Sequence, residues 1–507
     1  MTEECECMSR ISVEGLTFCY DGGYETIFED VSFAIDTDWK LGLIGRNGRG
    51  KTTFLKLLQG ELEYRGRISA SVEFDYFPYE VKNRQKNTIE IVEEIYPGYE
   101  FWELCREWSW LGGADDVWFR PFESLSNGEQ TKMLLAVLFL KENNFLLIDE
   151  PTNHLDEETR AVVCAYLKRK RGFLAVSHDR AFLDGCIDHV LAINRSNIEV
   201  AAGNFSSWWE NKRRRDAFEL AENERLKKDI KRLSSAARQA EGWADKIESA
   251  KIGRDTSQKD GANRDYIGEK SRRMQQRRKN LERRREQELA KKQSLLQNIE
   301  SEQELRMECA VHHKQTLLTV RDLTLSYGSR TLCADVSFEV HPGDCIVLAG
   351  QNGSGKSSLL RAVLAAAQGN VSAGLTAEGI LETACGLKIS YVPQDAHGLS
   401  GSLRDYIREA EADETLFMQF LRKLDFPRSH FEKRMEEFSE GQRKKVLLAR
   451  SLCERAHLYI WDEPLNFIDI FSRMQLEEAL VKYRPAMLLV EHDAAFTGRV
   501  GTQIVHF

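Results

Sequence analysis

The stretch Trp39–Gly60, WKLGLIGRNGRGKTTFLKLLQG, decides how the rest of the chain is read. An apolar run that reads as a buried strand leads into Gly45-Arg46-Asn47-Gly48-Arg49-Gly50-Lys51-Thr52, and a helix-like segment follows. The middle is a full GxxxxGK[ST] pattern, and strand, loop and helix in that order turn such a pattern into a phosphate site. Its glycines let backbone N–H groups wrap phosphates, Lys51 neutralises the β and γ oxygens, and Thr52 ligates Mg²⁺. A glycine-rich turn holding no ligand is the bland alternative, and the flanking strand and helix count against it.

Working outward, ISVEGLTFCY (11–20) and FEDVSFAI (28–35) alternate apolar and polar residues and read as strands. Downstream, Phe145-Leu146-Leu147-Ile148-Asp149-Glu150 is an apolar strand ending in two carboxylates. Asp149 would hold Mg²⁺ through its waters and Glu150 would polarise an attacking water as general base. Pro151 to Asp156 follow, and a further apolar strand, GFLAVSHD (172–179), delivers His178 where a sensor of the γ-phosphate is needed. Between these, Leu125-Ser126-Asn127-Gly128-Glu129-Gln130 opens an apolar helix. A Ser-x-Gly turn there binds anions through free N–H groups, although serine is also an ordinary N-cap. Its place between the phosphate loop and the acidic strand makes it informative.

Every one of these elements recurs at an offset of roughly 305–315 residues, the mark of duplication. Gly350-Gln351-Asn352-Gly353-Ser354-Gly355-Lys356-Ser357 is a second phosphate loop, followed by Tyr391-Val392-Pro393-Gln394, Ser439-Glu440-Gly441-Gln442, Asp462-Glu463 and His492. Tyr20 and Tyr327 precede the two loops at similar distances and are candidates to stack on an adenine ring, or else core or edge-strand residues.

Between the repeats, about Phe205 to Gln315, there is no proline, and Glu, Lys, Arg, Gln, Leu and Ala dominate two arms around a break at Lys251–Gly268. Two long helices are the expectation, near 40 residues each and reaching on the order of 50–60 Å at 1.5 Å per residue. Leu281, Leu289, Leu296 and Ile299 offer an imperfect seam facing Phe218, Leu226, Ile230 and Leu233. Residues 206–314 hold about 28 basic and 20 acidic side chains, a net of about +8, in a chain of net −9. Arg272, Arg273, Arg277, Arg278, Lys279, Arg283, Arg284 and Arg285 crowd about four turns after the break. Such density suits phosphates of folded RNA, and equally a solvated coiled coil. Bulky Tyr266 and Ile267, with Arg264, mark the break as a candidate contact tip.

Length and composition bound the rest. With 507 residues, 42% hydrophobic and 30% charged, the chain should form two or three cored domains. Its longest apolar run, Met133–Leu140, is far too short to span a membrane, and MTEECECMSR lacks the apolar core of a secretion signal. The 11 scattered cysteines, without a CxxC pair, fit free thiols in a reducing cytoplasm, and the spacing of Cys5 and Cys7 matches no strong metal pattern.

Together these residues resemble the ATP-binding cassette superfamily, and two tandem cassettes with a charged linker look like its ABC-F branch. The resemblance implies an α/β fold: cassette 1 over 1–205, a basic helical hairpin over 206–314 with its tip about 251–268, cassette 2 over 315–507, and no transmembrane domain. It implies a head-to-tail sandwich within a monomer, holding two ATP molecules with Mg²⁺. One site would join Lys51, Thr52, Asp149, Glu150 and His178 to Ser439 and Gly441. The other would join Lys356, Ser357, Asp462, Glu463, Gln394 and His492 to Ser126 and Gly128. Asp156 and Asp469 would lie in loops crossing between them. By the same resemblance Glu150, Glu463, His178 and His492 are catalytic, and Thr52, Asp149, Ser357, Gln394 and Asp462 serve the metal. Tyr20, Gly45, Asn47, Gly48, Gly50, Thr53, Glu129, Tyr327, Gly350, Asn352, Gly353, Gly355, Ser358 and Gln442 complete the nucleotide contacts.

The match extends to the antibiotic-resistance group of ABC-F proteins acting against lincosamides, streptogramin A and pleuromutilins. It rests on DWKLGLIGRNGRGKTT (38–53), RDAFELAENE (215–224), HHKQTLLTV (312–320) and EPLNFID (463–469). That group implies a cytoplasmic partner of the bacterial 70S ribosome, contacting 23S rRNA and E-site proteins. The linker would enter from the tRNA exit side, displace the P-site tRNA and dislodge the drug, with Arg264, Tyr266, Ile267, Arg272, Arg273, Arg277 and Arg278 toward its tip.

The sequence departs from the family pattern in places. Tyr79 stands where a glutamine that contacts water and Mg²⁺ is expected, Asn127 replaces a signature glycine, and Leu465, Asn466 and Phe467 stand against Thr152, Asn153 and His154. The two sites are therefore expected to be unequal. The segment between Tyr79 and Leu125 is too short for a large inserted arm domain, yet holds Trp102, Trp108, Trp110 and Trp118. Other readings are a housekeeping factor rescuing stalled ribosomes, a transporter's ATP-driving subunit and a DNA-repair or chromosome ATPase. The basic linker argues against the transporter, and the uninterrupted cassettes and lack of a zinc pattern against the DNA enzyme.

Overall fold

The computed structural model describes residues 10–20, 26–153, 155–194, 197–252, 305–328, 330–351, 353–369, 374–396, 398–427 and 430–507, with scattered positions within 272–287. The chain divides into two compact units, Met1–Ser206 with Glu302–Phe507, and Ser207–Ser301.

Within the first unit each half carries two sheets. In the first half β1 (Arg10–Phe18), β2 (Phe28–Asp36) and β4 (Arg65–Ser69) form an antiparallel sheet ordered β2-β1-β4. Its apolar residues alternate, as a half-buried surface requires. The second sheet is ordered β5-β6-β7-β3-β8-β9, from β5 (Glu73–Phe77), β6 (Asn144–Asp149), β7 (Phe173–Val176), β3 (Lys40–Ile44), β8 (His189–Ile193) and β9 (Ile198–Ala202). All its pairings are parallel except β8 with β9. Strands covered on both faces read as unbroken apolar runs, and β6 and β7 do. Helices α1 (Lys51–Leu58), α2 (Thr88–Ile95), α3 (Phe101–Trp110), α4 (Asn127–Leu138), α5 (Glu157–Arg169) and α6 (Arg180–Cys186) complete this half.

The second half repeats the plan. Strands β10 (Leu318–Tyr327), β11 (Arg330–Val340) and β13 (Leu375–Thr383) pair antiparallel. A parallel sheet ordered β14-β15-β16-β12-β17 is built from β14 (Ile389–Val392), β15 (Leu458–Asp462), β16 (Met487–Val490), β12 (Cys345–Ala349) and β17 (Gln503–His506). Its helices are α8 (Lys356–Ala367), α9 (Leu403–Glu409), α10 (Glu414–Lys423), α11 (Glu440–Cys453), α12 (Ile470–Tyr483) and α13 (Ala494–Val500). Leu305 and Met307 are buried in the core under α11 and α12, so packing of this half starts upstream of residue 315.

The halves meet through a few directional contacts. Asn47 Nδ2 donates to the Phe467 carbonyl at 2.9 Å, and the Arg46 guanidinium lies 5.6 Å from the Phe471 ring centre. Arg160 Nη1 donates to the His492 carbonyl at 3.0 Å. Arg180 of α6 pairs with Glu477 of α12, whose other oxygen accepts from Arg499 at 2.7 Å. Glu477 is fully buried, and the matching position in the first half is Cys164.

In the linker, α7 (Phe205–Ile252) has 48 residues, about 70 Å at 1.5 Å per residue. Beyond it Arg272, Arg273, Lys279, Arg283 and Arg284 are helical and exposed. One residue expected in the seam, Phe218, is 68% exposed rather than buried. The side chains of Leu226, Ile230 and Leu233 fall outside the described residues, as do Arg264, Tyr266, Ile267, Arg277, Arg278, Leu281, Arg285, Leu289, Leu296 and Ile299.

Candidate functional site

The first phosphate loop joins the end of β3 to α1. Gly50 caps α1 with φ 88°, and a Cβ there would fall 2.5 Å from Ile27, so only glycine fits the turn. Lys51 is folded back over the loop, Nζ donating to the Gly45 carbonyl at 2.7 Å and to Asn47 Oδ1 at 3.2 Å. The loop opens on a cavity of about 640 Å³, lined by Tyr20, Asn47, Gly48, Gly50, Lys51, Thr52, Thr53, Glu150 and His178 from the first half. From the second half Asp425, Pro427, Ser439, Glu440, Gly441, Gln442, Lys445 and Phe467 complete the lining. Ser439 and Gly441 thus line the same cavity as Lys51. Ser439 caps α11 in a reciprocal box with Gln442, which aims the helix start at the cavity.

Two carboxylates close the floor. Asp149 Oδ2 accepts from Thr52 Oγ1 at 3.2 Å and from the Tyr76 hydroxyl at 2.9 Å. Burial raises the Asp149 carboxyl, and those two bonds oppose the shift. Glu150 lies 3.1 Å from His178 Nε2 and occupies the left-handed region at φ 50°. Burial pushes the Glu150 carboxyl up to about 8, the neighbouring Asp149 adds to this, and Lys51 and Arg473 oppose it. Burial, aided by Lys51, drives the His178 imidazole well below its usual range. A neutral acid facing a neutral imidazole is the pairing that avoids burying two charges. Asp469 caps α12, is fully buried, and bonds Lys445 at 3.1 Å. Lys445 and Lys51 together outweigh burial and hold the Asp469 carboxyl well below the usual carboxylate range.

The second cavity is smaller, about 290 Å³, and is lined by Asn127, Leu155, Arg160, Leu332, Gly353, Gly355, Lys356, Ser357, Ser358, Gln394, Glu463, Asn466 and His492. Lys356 Nζ donates to the carbonyls of Gly350 and Gln351 at 2.8 and 2.7 Å. Glu463, at φ 45°, accepts from Asn466 Nδ2 at 2.7 Å and lies 3.8 Å from His492 Nε2. Burial lowers both the Lys356 ammonium and the His492 imidazole. Lys444 is buried and donates to the carbonyls of Pro393 and Gln394 at 2.8 and 3.0 Å, so it fixes the turn that presents Gln394.

Both sites fit Mg²⁺ chemically. That ion keeps most of its waters and takes one or two protein oxygens plus phosphate, which Thr52 with Asp149, and Ser357 with Asp462, would supply. Asp462 Oδ1 is buried without a hydrogen-bond partner, and Ser357 bonds the same carboxyl, which burial raises. The ion's contribution would be to neutralise charge between the β- and γ-phosphates.

Several sequence candidates lie elsewhere. Ser126 and Glu129 form the reciprocal cap of α4, and Asn127 between them and Gly128 is the residue that reaches the second cavity. A Cβ on Gly128 would fall 3.2 Å from Thr159. Tyr20 lines the first cavity with its hydroxyl 3.0 Å from Thr53 Oγ1, whereas Tyr327 is 60% exposed and Leu332 lines the second. Tyr79 is exposed at the surface. Asn352 and His154 lie outside the described residues. The sequence reading missed Tyr76, Asp425, Lys445 and Arg160. Only Arg160 carried a legible signal, since Arg473 repeats it four residues after the matching aspartate.

Two phosphate loops, each followed by a strand-end Asp-Glu pair and a histidine, with one cavity completed by the opposing half's helix start, define a tandem-cassette ATPase. The family model described as ABC transporter matches residues 28–153 and 333–466, and the chain belongs to that family. It is 28% identical to the ribosome protection protein VmlR of Bacillus subtilis, covering 94% of this chain and 83% of that protein. It is 27% identical to the energy-dependent translational throttle protein EttA of Haemophilus influenzae, covering 95% and 89%. Both of these relatives match over nearly the whole chain. Among solved structures, the archaeal ribosome recycling factor aABCE1, in complex with the stalk protein aP1, superposes with a TM-score of 0.62. It shares 18% identity and covers 97% of this chain and 87% of that one, which is a likeness of fold. Among the described residues no helix is long and apolar enough to cross a membrane.

Proposed function

We propose that this ATPase is a ribosome-protection factor conferring resistance to lincosamides, streptogramin A and pleuromutilins. ATP closes the cassettes and the closed form binds the bacterial 70S ribosome at the E site. The linker then reaches toward the peptidyl-transferase centre, displaces P-site tRNA and dislodges the drug, and hydrolysis releases the protein. In this reading Lys51 and Lys356 bind the phosphates, Glu150 and Glu463 act as bases beside His178 and His492, and Mg²⁺ binds at Thr52 with Asp149 and at Ser357, Gln394 and Asp462. The protein works as a cytoplasmic monomer. The observation that carries the reading is the similarity to VmlR over 94% of the chain. The exposed arginines beyond α7 support it as an RNA-facing surface.

The test is bacterial cell-free translation inhibited by a lincosamide or a pleuromutilin. Rescue by the protein, abolished in Lys51→Ala with Lys356→Ala, is the expected result. The similarity to EttA favours a second reading, a translation factor acting on stalled ribosomes without drug. ATP-dependent ribosome binding with no rescue from either drug would select it.

A further inference from the structure

The helical part of the first half carries a surface that neither cavity uses. Helix α3 exposes Trp102 by 60% and Trp110 by 42%. Arg106 lies between them, its guanidinium carbon 5.2 Å from the Trp102 ring centre and 5.4 Å from that of Trp110. The end of α5 brings Lys168-Arg169-Lys170-Arg171 to the same place, with Arg169 and Lys170 at 5.8 and 5.4 Å from the Trp110 ring. Lys170 is taken up by buried Glu107, which also accepts from the Tyr166 hydroxyl at 2.7 Å. Arg106 is exposed although its Nη2 also lies 3.4 Å from Glu107 Oε1, Lys168, Arg169 and Arg171 are exposed, and Glu100 and Glu103 stand at the far start of α3.

The second half is an internal control. Its matching helix, α10, carries Thr415, Gln419 and Lys423 in place of Trp102, Arg106 and Trp110. The end of α12 reads Val481-Lys482-Tyr483-Arg484. The core positions of the two helices stay apolar, Leu104 and Trp108 against Phe417 and Leu421. The fold therefore does not need the exposed indoles or the run of four cations.

We propose that this surface binds RNA through unpaired bases. Trp102 and Trp110, about 12 Å apart along the helix, stack on two non-adjacent bases of one strand, and Arg106, Lys168, Arg169 and Arg171 hold the adjoining phosphates. A duplex would offer the phosphates but no free base faces. An acidic protein would use the cations and leave the indoles wet. Of these, only an unpaired strand satisfies both halves of the surface, and RNA is the strand that the proposed function would bring to it. The proposal rests on the ribosome-facing reading only in that ribosomal RNA is the RNA such a protein would meet.

The test uses the full-length protein and a 12-nucleotide RNA carrying 2-aminopurine, whose fluorescence is quenched when the base stacks. Ribosome co-sedimentation with ATP is measured in parallel. Trp102→Ala with Trp110→Ala is expected to remove the quench and weaken binding about tenfold or more, while Trp102→Phe with Trp110→Phe keeps both. Arg169→Ala with Arg171→Ala should lower the slope of log affinity against log salt by about 1.4. ATP hydrolysis should be unchanged in all three and serves as the folding control. Equal quench and affinity in the alanine variant overturn the proposal, as does a poly-glutamate peptide binding as tightly as the RNA. Loss of RNA stacking in the variant while wild type fails to sediment with ribosomes would support the surface and sink the ribosome reading. Full sedimentation with no RNA stacking by wild type would do the reverse.

Discussion

The two halves share their sheets, their phosphate loops and their capped signature turns, yet they enclose cavities of about 640 and 290 Å³. A few positions make the difference. Asp425 and Pro427 reach the first cavity from the second half, and Gly112 and Ala114 at the matching places line neither cavity. Lys444 ties down the turn that presents Gln394, whereas Thr131, too short for such a tie, stands at that position in the first half. In the first half Thr52 and Tyr76 both bond Asp149 Oδ2, while among the described residues no tyrosine bond to Asp462 is seen and its Oδ1 is buried without a partner. Duplication has preserved the phosphate chemistry and let the acid-base and metal surroundings drift apart. These differences predict unequal turnover, with the second site the faster and Glu150 the weaker of the two bases.

The largest expected contrast is between the two bases. Glu463→Gln should cut steady-state phosphate release about 100-fold or more, the scale of a lost general base. Glu150→Gln at pH 7 should change it by less than about threefold, because Glu150 keeps its proton up to about 8. Equal losses would end the division of labour. That raised value also fixes the sign of a pH effect. A base acts only after losing its proton, so the residual activity of Glu463→Gln should climb about tenfold per pH unit and level off near 8. A flat profile between pH 6 and 8 would contradict it.

Stability should separate the halves next. Lys445→Met leaves Asp469 buried beside Lys51 alone, and about 3–5 kcal/mol is the usual cost of breaking such a pair. Lys132→Met, at the half-buried matching position, should cost about 1 kcal/mol or less in thermal or denaturant melts. A Cβ on Gly441 would fall 2.7 Å from the Phe467 carbonyl, the acceptor of Asn47. Gly441→Ala should therefore weaken ATP-driven closure several-fold more than Gly128→Ala, as read by distance-sensitive fluorescence; this ordering follows the cost of overpacking, about 1–3 kcal/mol. The smallest effect belongs to Tyr76→Phe. Freeing Asp149 Oδ2 should lower the Mg²⁺ concentration needed for nucleotide binding at the first site, by a few-fold for a neutral hydrogen bond of about 1 kcal/mol. An unchanged or raised requirement would show that the tyrosine does not compete for that oxygen.

Contiguous chemistry was legible in the sequence. The phosphate loops, the Asp-Glu strand ends and the serine caps are local, and strand, turn and helix signals around them agree. What one half lends to the other was legible only by analogy, because spacing along a chain does not state which segments meet across an interface. Lys445 lines the first cavity from the second half in the middle of a helix, and Asp425 does so from an ordinary loop. Tyr327 shows how a repeat misleads. Tyr20 lies past the end of β1 and is free to turn inward, while Tyr327 is held in register opposite both Arg330 and Leu375. The same residue at a similar distance before the phosphate loop is loose in one half and stitched into a hairpin in the other. In the linker, apolar spacing suggested a seam including Phe218, but helical periodicity cannot say which turns of an arm are covered, and Phe218 is 68% exposed.

Glu477 gives the closed sandwich a latch on one leaf only. Drawing Arg180 away leaves a fully buried carboxylate with Arg499 as its remaining cation, while Cys164 and Ala494 at the mirrored places hold nothing comparable. This ion pair between the halves therefore has no counterpart at the mirrored positions, so the interface is not symmetric in its charges.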